Sequence, residues 1–468
     1  MRRVLGYLVV LLSALWLSPG CARAQAARSP GGLVPISGSS PLKGHCRVST
    51  APQYGSEAEP HLVADPGEPR RLVAAWQQDR YANGGSLALG VSTSADGGRT
   101  WQQRAVPGIT GCPPRGRDRN SDPWLSFGPD GSAYLASVPG RLFLDGPETS
   151  VVVNHSSDGG MTWSAPVVVA PRCACSQFND KPAVTADPAS AGTAYVVWTR
   201  DARAAWFSHT NDGGTTWSRP SRIYKPPSRS TTAYGNTISV LPGHTLLDTF
   251  IASRVRFPVL AARSVDGGAS WSRPVRVGDA GTGRGPTDPD SGREIRVAAV
   301  QAVTVAANAV YVAWRQPLAR HRSRIVLTDS ADGGRRWTTP RAITGRGTQA
   351  FMPALSAAPD GTLALSYYDF RRDRRRDRVL TTDVWLRESH DGGATWHESR
   401  LAGPFDMRTA PVAGLPTGAG RHRALFLGDY TGLVAVPGGF GAALPLARPL
   451  ARHGRSDVFF TTSPISQG

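Results

Sequence analysis

The chain has 468 residues, 40% of them hydrophobic and 19% charged, which allows a sizeable core and excludes a wholly disordered polymer. Its 52 glycines and 38 prolines argue against a helical bundle. The formal charge of +18 draws anionic sugars or acidic polymers at low salt, but only Lys43, Lys181 and Lys225 are lysines, an Arg skew that points to codon bias, and no nucleic-acid-binding module is present.

In chain order, residues 1–24 read as an export signal. Met1-Arg2-Arg3 precedes an apolar run over 4–17, too short to span a bilayer comfortably, and Ala22-Arg23-Ala24 offers a cleavage site. Leu17-Ser18-Pro19-Gly20-Cys21 is a near-miss to a lipoprotein box, so plain secretion and anchoring through a lipidated Cys21 are both open. The protein is expected outside the cell or at its surface. Cys46, Cys112, Cys173 and Cys175 then remain, an even set that favours disulfides. Cys173 and Cys175 are too close to pair with each other, so Cys112 is expected to pair with one of them and Cys46 with the other. No spaced histidines accompany these thiols, and no metal or cofactor is expected.

From residue 57 a repeat takes over. The octet S/T-x-D-G-G-x-x-W occurs six times, with Asp96 and Trp101, Asp158 and Trp163, Asp212 and Trp217, Asp266 and Trp271, Asp332 and Trp337, and Asp391 and Trp396. Asp-Gly-Gly between β-rich runs is a hairpin signal, its glycines free to take positive φ and its Asp able to accept from backbone amides. The Trp can wedge into a core as the next strand begins. Two apolar runs precede each octet, such as 60–65 and 72–76, or 182–186 and 194–198, and one strand leads into it and another out of it. Four strands per repeat predict an all-β propeller of four-stranded antiparallel blades, with the octet turns between third and fourth strands. Residues 425–436 and 457–461 form a seventh unit that lacks a fourth strand; the segment near 45–48 is expected to supply it. Seven blades are therefore preferred over six with a C-terminal extension. Residues 25–56 form the N-terminal segment that closes the last blade, 57–463 a single propeller domain and 464–468 a tail. A monomer is expected.

The octets resemble the Asp-box, or BNR, repeats of the sialidase-like propeller superfamily, over roughly 57–463. The flanking run Glu59-Pro60 … Leu72-Val-Ala-Ala-Trp76-Gln-Gln-Asp79-Arg80 looks like secreted bacterial sialidase family proteins, or exo-alpha-sialidases. The resemblance implies a glycoside hydrolase acting on extracellular glycans; a non-catalytic propeller binding a glycan or surface protein is the alternative. No F/Y-R-I/L-P motif is present, so no catalytic residue is carried over.

Propeller geometry puts the octet Asp residues on one rim in a structural role. The other rim collects strand-one starts, Glu59, Asp122, Asp180, Lys181, Asp429 and Tyr430, and strand-two ends, Asp79, Arg80, Arg200, Asp201, Arg254, Arg315, Asp369 and Arg371. Guanidiniums and carboxylates there could grip an anionic sugar or pair across blades. Because retaining sialidases use a Tyr nucleophile, Tyr368 and Tyr430 are the tyrosines to test, with Asp79 beside them. Trp76, Trp198 and Trp314 recur at one strand-two position and are read as inter-blade core. The run 371–378 is read as a solvated loop, or a dock for an acidic partner.

Overall fold

The computed structural model describes residues 32–465, apart from 41, 45, 47, 49–50, 113–118, 144–145, 173–177, 202, 229–230, 254–256, 282–284, 307–308, 320, 346–347, 415–422 and 450–454. The export signal, Cys21, Cys173, Cys175 and Arg254 lie outside the described residues.

The first unit runs Ala58–Ala64, Leu72–Arg80, Ser86–Ser94 and Gln102–Thr110, each strand antiparallel to the next. The third runs Asn179–Ala186, Ala194–Arg200, Ala204–Thr210 and Ser221–Tyr224 in the same order. Sheets of identical grammar occupy 232–279, 301–342 and 351–406, and a Ser86–Asn120 bridge joins the unit at 119–170 to the first. Leu72–Arg80 is buried at every position, as befits a strand covered on both faces. Large side chains fill the space between neighbouring sheets: Trp76, Trp198 and Trp314 are 0% exposed.

The last sheet consists of Gly432–Val436, Gly439–Ala447 and Ser456–Pro464, with Val34–Pro35 on its outer edge. An N-terminal segment does complete it, but not residues 45–48. Val34 pairs with Phe460 and Pro35 with Phe459, because Val34 and Ile36 are the apolar side chains that bury beside Phe460 and Trp101. The thiol pairing also differs from expectation: Cys46 and Cys112 form a disulfide with each other. It ties the N-terminal segment to the turn that follows the first unit.

First strands pack side by side in cyclic order. The strand from Ala58 touches that from Arg119, and so on through those from Asn179, Thr232, Gln301, Phe351 and Gly432, which returns to the Ala58 strand.

Each octet turn is a self-contained hydrogen-bonded knot. In the first, Asp96 Oδ1 accepts from the amides of Arg99 and Thr100, both at 2.9 Å, and Thr100 Oγ1 donates to Oδ2 at 2.6 Å. The second glycine leans on the neighbouring sheet at positive φ. A Cβ at Gly98 would stand 1.9 Å from the Phe460 ring, and one at Gly268 2.3 Å from Phe207.

Strand register separates two ends of the molecule. Leu72 faces both Ala64 and Ser94, so the octet at 94–101 sits at that end; Ala58 with Gln77, and Arg80 with Ser86, mark the opposite end. In the third unit Ala194 with Thr210, and Asn179 with Arg200, divide the same way.

Candidate functional site

The site begins with a defect in pairing. In each of the first four units and the sixth, the first strand carries a register shift against the second: between Ala58 and His61, Ser121 and Trp124, Asp180 and Ala183, Tyr234 and Thr237, and Phe351 and Ala354. The extra residue takes a left-handed backbone: Glu59 at φ 53°, Asp122 at 53°, Lys181 at 48°, Gly235 at 67° and Met352 at 49°. For non-glycine residues that conformation is strained, and here a proline follows each of the four. In the first three units the strained residue is charged, and the bulge aims it at one shared cavity.

There the three meet. Lys181 Nζ lies 2.9 Å from Glu59 Oε1, 2.6 Å from Asp122 Oδ1 and 2.8 Å from Asp429 Oδ2. Gln77 Nε2 donates to Glu59 Oε2 and, at 3.1 Å, to Ser121 Oγ, while the Ala298 amide donates to Asp429 Oδ1 at 2.8 Å. Arg80 is 3% exposed; its Nη1 donates to the Tyr81 carbonyl and its guanidinium lies 3.9 Å over the Phe426 ring. Arg296 approaches the same ring at 5.6 Å.

These groups line one cavity of about 260 Å³, with Asp180, Tyr234 and Arg119 around it. It has two layers. Glu59, Asp122, Lys181, Asp429 and Arg80 are buried; Asp180, Tyr234 and Arg296 are only partly so and face the open space. A larger cleft of about 610 Å³ lies beside Phe405 and Phe459, but its charged lining is only Asp406 and Arg448.

Burial is the main force on the titrating groups. It pushes Glu59 up to about 8 against the pull of Lys181, with Asp122 and Asp429 adding repulsion. It pushes Asp180 up to about 7, and Asp122 beside it adds to the shift. Burial also works against ionisation of Asp429, but Lys181 and Arg296 outweigh it and hold that carboxyl below the usual range. The Tyr234 phenol is driven well up by burial and stays protonated. The cavity thus holds protonated and ionised carboxyls together, as acid and base roles require.

Of the candidates read from sequence, the cavity brings together Glu59, Arg80, Asp122, Asp180, Lys181 and Asp429. The others lie elsewhere. Asp79 accepts from Ser40 Oγ and from the Gly55 amide at 2.9 Å, pinning the N-terminal segment. Tyr368 is buried in the core of the last two sheets. Tyr430 is not in the cavity lining but adjoins its charged cluster, its ring 5.4 Å from Lys181 Nζ and its hydroxyl donating to the Pro123 carbonyl at 3.0 Å. Arg200 stacks on Trp206 at 4.0 Å, and Asp201 Oδ1 accepts from the Phe178 amide. Arg315 sits buried in its own strand, near the Glu294 charge. Asp369 and Arg371 pair at 2.5 Å within a network that includes Glu398 and Tyr367.

Three titratable lining residues were not among the candidates from sequence. Tyr234 lies before the β-branched run Thr237-Ile238-Ser239-Val240 that marks the fourth unit's first strand, and only the aligned bulges put it level with Asp180. Arg296 rides on an insertion before the fifth unit, whose signal is the widest octet spacing, from Asp266 to Asp332. Arg408 fastens that insertion through Asp288 at 2.8 and 3.0 Å, and the Arg296 amide donates to the Leu425 carbonyl. Arg119 stands at the start of the second unit, 4.0 Å over Tyr81.

Residues 144–402 match the family model of the BNR repeat-like domain. No curated protein matches the sequence. Among solved structures, the intramolecular trans-sialidase from Ruminococcus gnavus is similar at 12% identity and a TM-score of 0.46, covering 92% of this chain and 97% of that one. The Penicillium chrysogenum alpha-L-arabinanase is similar at 14% and 0.45, covering 92% and 97%. The Trypanosoma rangeli sialidase is similar at 14% and 0.45, covering 94% and 75%.

Proposed function

Because the chain belongs to the BNR repeat-like domain family of sialidase-like β-propellers, we propose that it is an exported glycoside hydrolase of the exo-alpha-sialidase type, with seven blades closed around the charged cavity. One observation carries the reading: three guanidiniums, a phenol and four carboxyls line a single cavity of about 260 Å³. That volume lies just below the roughly 300–1,000 Å³ of ligand pockets and suits one sugar residue, hence removal of a terminal unit. Arg80, Arg119 and Arg296 supply donors for a carboxylate on that sugar. Asp180, protonated up to about pH 7 and facing the cavity, gives its proton to the leaving oxygen. Tyr234 attacks the anomeric carbon as its proton passes to an ionised carboxylate of the cavity; Asp180 then takes a proton from the water that attacks the same carbon and breaks its bond to Tyr234, and the carboxylate returns the phenol's proton.

Export rests on the leader at 1–24, and the Cys46–Cys112 disulfide supports an oxidising compartment. No helix among the described residues is long and apolar enough to cross a membrane. Release of sialic acid from a fluorogenic sialoside is the test; inactivity on sialosides and on a panel of neutral glycosides would sink the reading. A second reading, a non-catalytic glycan- or protein-binding propeller, is favoured by Lys181, which engages three of the four carboxylates. The Asp180→Asn variant separates them: it abolishes turnover in the first case and only weakens binding in the second.

A further inference from the structure

Lys181 is the least expected member of the site. It is one of three lysines in the chain, it follows directly on Asp180, and it holds a left-handed backbone at φ 48° where it meets the carboxylates. Its ammonium touches carboxylates carried by the first and second units and by the segment before the last sheet, at 2.6 to 2.9 Å. Among the described residues, no cation pairs with Asp180, whose Oδ1 instead accepts from the Lys181 amide at 3.0 Å.

We propose that Lys181 is the positioning residue of this site: by gripping Glu59, Asp122 and Asp429 it locks three blades at a fixed separation and leaves Asp180 as the one carboxyl turned to the ligand. The inference rests on the reading of the cavity as a sugar site, with Asp180 as its acid. Three buried carboxyls crowded beside a fourth repel, and a single central cation can hold the buried three. Because Lys181 precedes Pro182 at a bulge, its grip and the direction of Asp180 are set by the same strained turn. The groups that face it are Glu59 and Asp122 on neighbouring first strands, Asp180 on its own, Tyr234 on the next, and Asp429 and Tyr430 before the last sheet. Arg80 and Arg296 stand beyond these.

The test compares Lys181→Met with the unaltered protein, using side-chain carboxyl NMR titration of Glu59 and Asp180 and the alkaline limb of kcat/KM. Removal of the ammonium is expected to move both titrations up by about one to three pH units, to carry the alkaline limb with them and to lower kcat more than it raises KM. A lower melting temperature with unmoved titrations would mean a merely structural lysine and would overturn the proposal. If Lys181→Met does not fold, Lys181→Gln serves, with the same upward titrations of Glu59 and Asp180 expected and their staying in place overturning the proposal equally. Absence of turnover in the unaltered protein refutes the hydrolase reading alone, since the NMR titrations still decide on Lys181.

Discussion

The two ends of the molecule use the same residue type in opposite ways. At the octet end, Asp212 and Asp266 are solvent-exposed, yet hydroxyl and amide donors of their own turns hold both down to about 2. At the cavity end, Glu59 and Asp180 have few such donors and are pushed up to about 8 and 7 by burial and like charge. A carboxylate saturated with backbone donors is a structural clamp; one that lacks them and sits beside another carboxyl is poised to exchange a proton. The most conspicuous repeated acid is therefore not where the chemistry gathers.

The sharpest way to break this contrast is Asp180→Asn, expected to lower kcat by about 10²–10⁴-fold while melting stays near that of the parent. Full retained turnover would remove Asp180 from the mechanism. Next in size, Trp101→Ala should cost about 3–5 kcal/mol, since the ring is 2% exposed against Phe460. Trp217→Ala should cost less, because that ring is only partly buried; denaturant midpoints give both values. Asp96→Ala should lower the melting temperature less than Trp101→Ala and leave kcat/KM unchanged. A large loss of activity would mean that the octet end is not purely structural.

The smallest effect is a difference in pH slope. A carboxyl raised on folding contributes stability that is complete below its unfolded value and lost as pH climbs through the folded one. Glu59 should therefore destabilise the fold progressively from about pH 4.5 to 8, and Glu59→Gln should flatten that stretch of the denaturant-midpoint curve. The octet carboxylates are lowered instead, so their contribution is present above about pH 4 and lost as pH falls toward 2. Identical curves for the parent and Glu59→Gln between pH 5 and 8 would contradict the shift.

Much of the fold was legible because it is local. The octet knot closes within eight residues, so S/T-x-D-G-G-x-x-W announces itself wherever it stands, and the strands between follow from β-branched runs and turn residues. The cavity was half legible. Glu59, Asp122 and Lys181 could be placed by counting repeats from the octets, since each occupies the same step of its repeat, and Asp180 stands one step before Lys181. Asp79 and Tyr368 misled, because a strand end does not reveal whether a side chain turns to the axis, to the N-terminal segment or into the core. Arg296 was hidden, since an insertion has no repeat to align it.

Sequence alone determined the architecture of a repeated four-stranded sheet and the end at which its turns cluster, since those depend on contacts a few residues long. Tertiary structure alone decided which charges meet. Lys181 reaches Asp429 only because the sheets curve round until the last strand lies against the first, an arrangement that builds on contacts nearly the whole chain apart. The same holds for the edge strand at Val34–Pro35: many apolar segments could pair there, and burial against Phe460 chose between them.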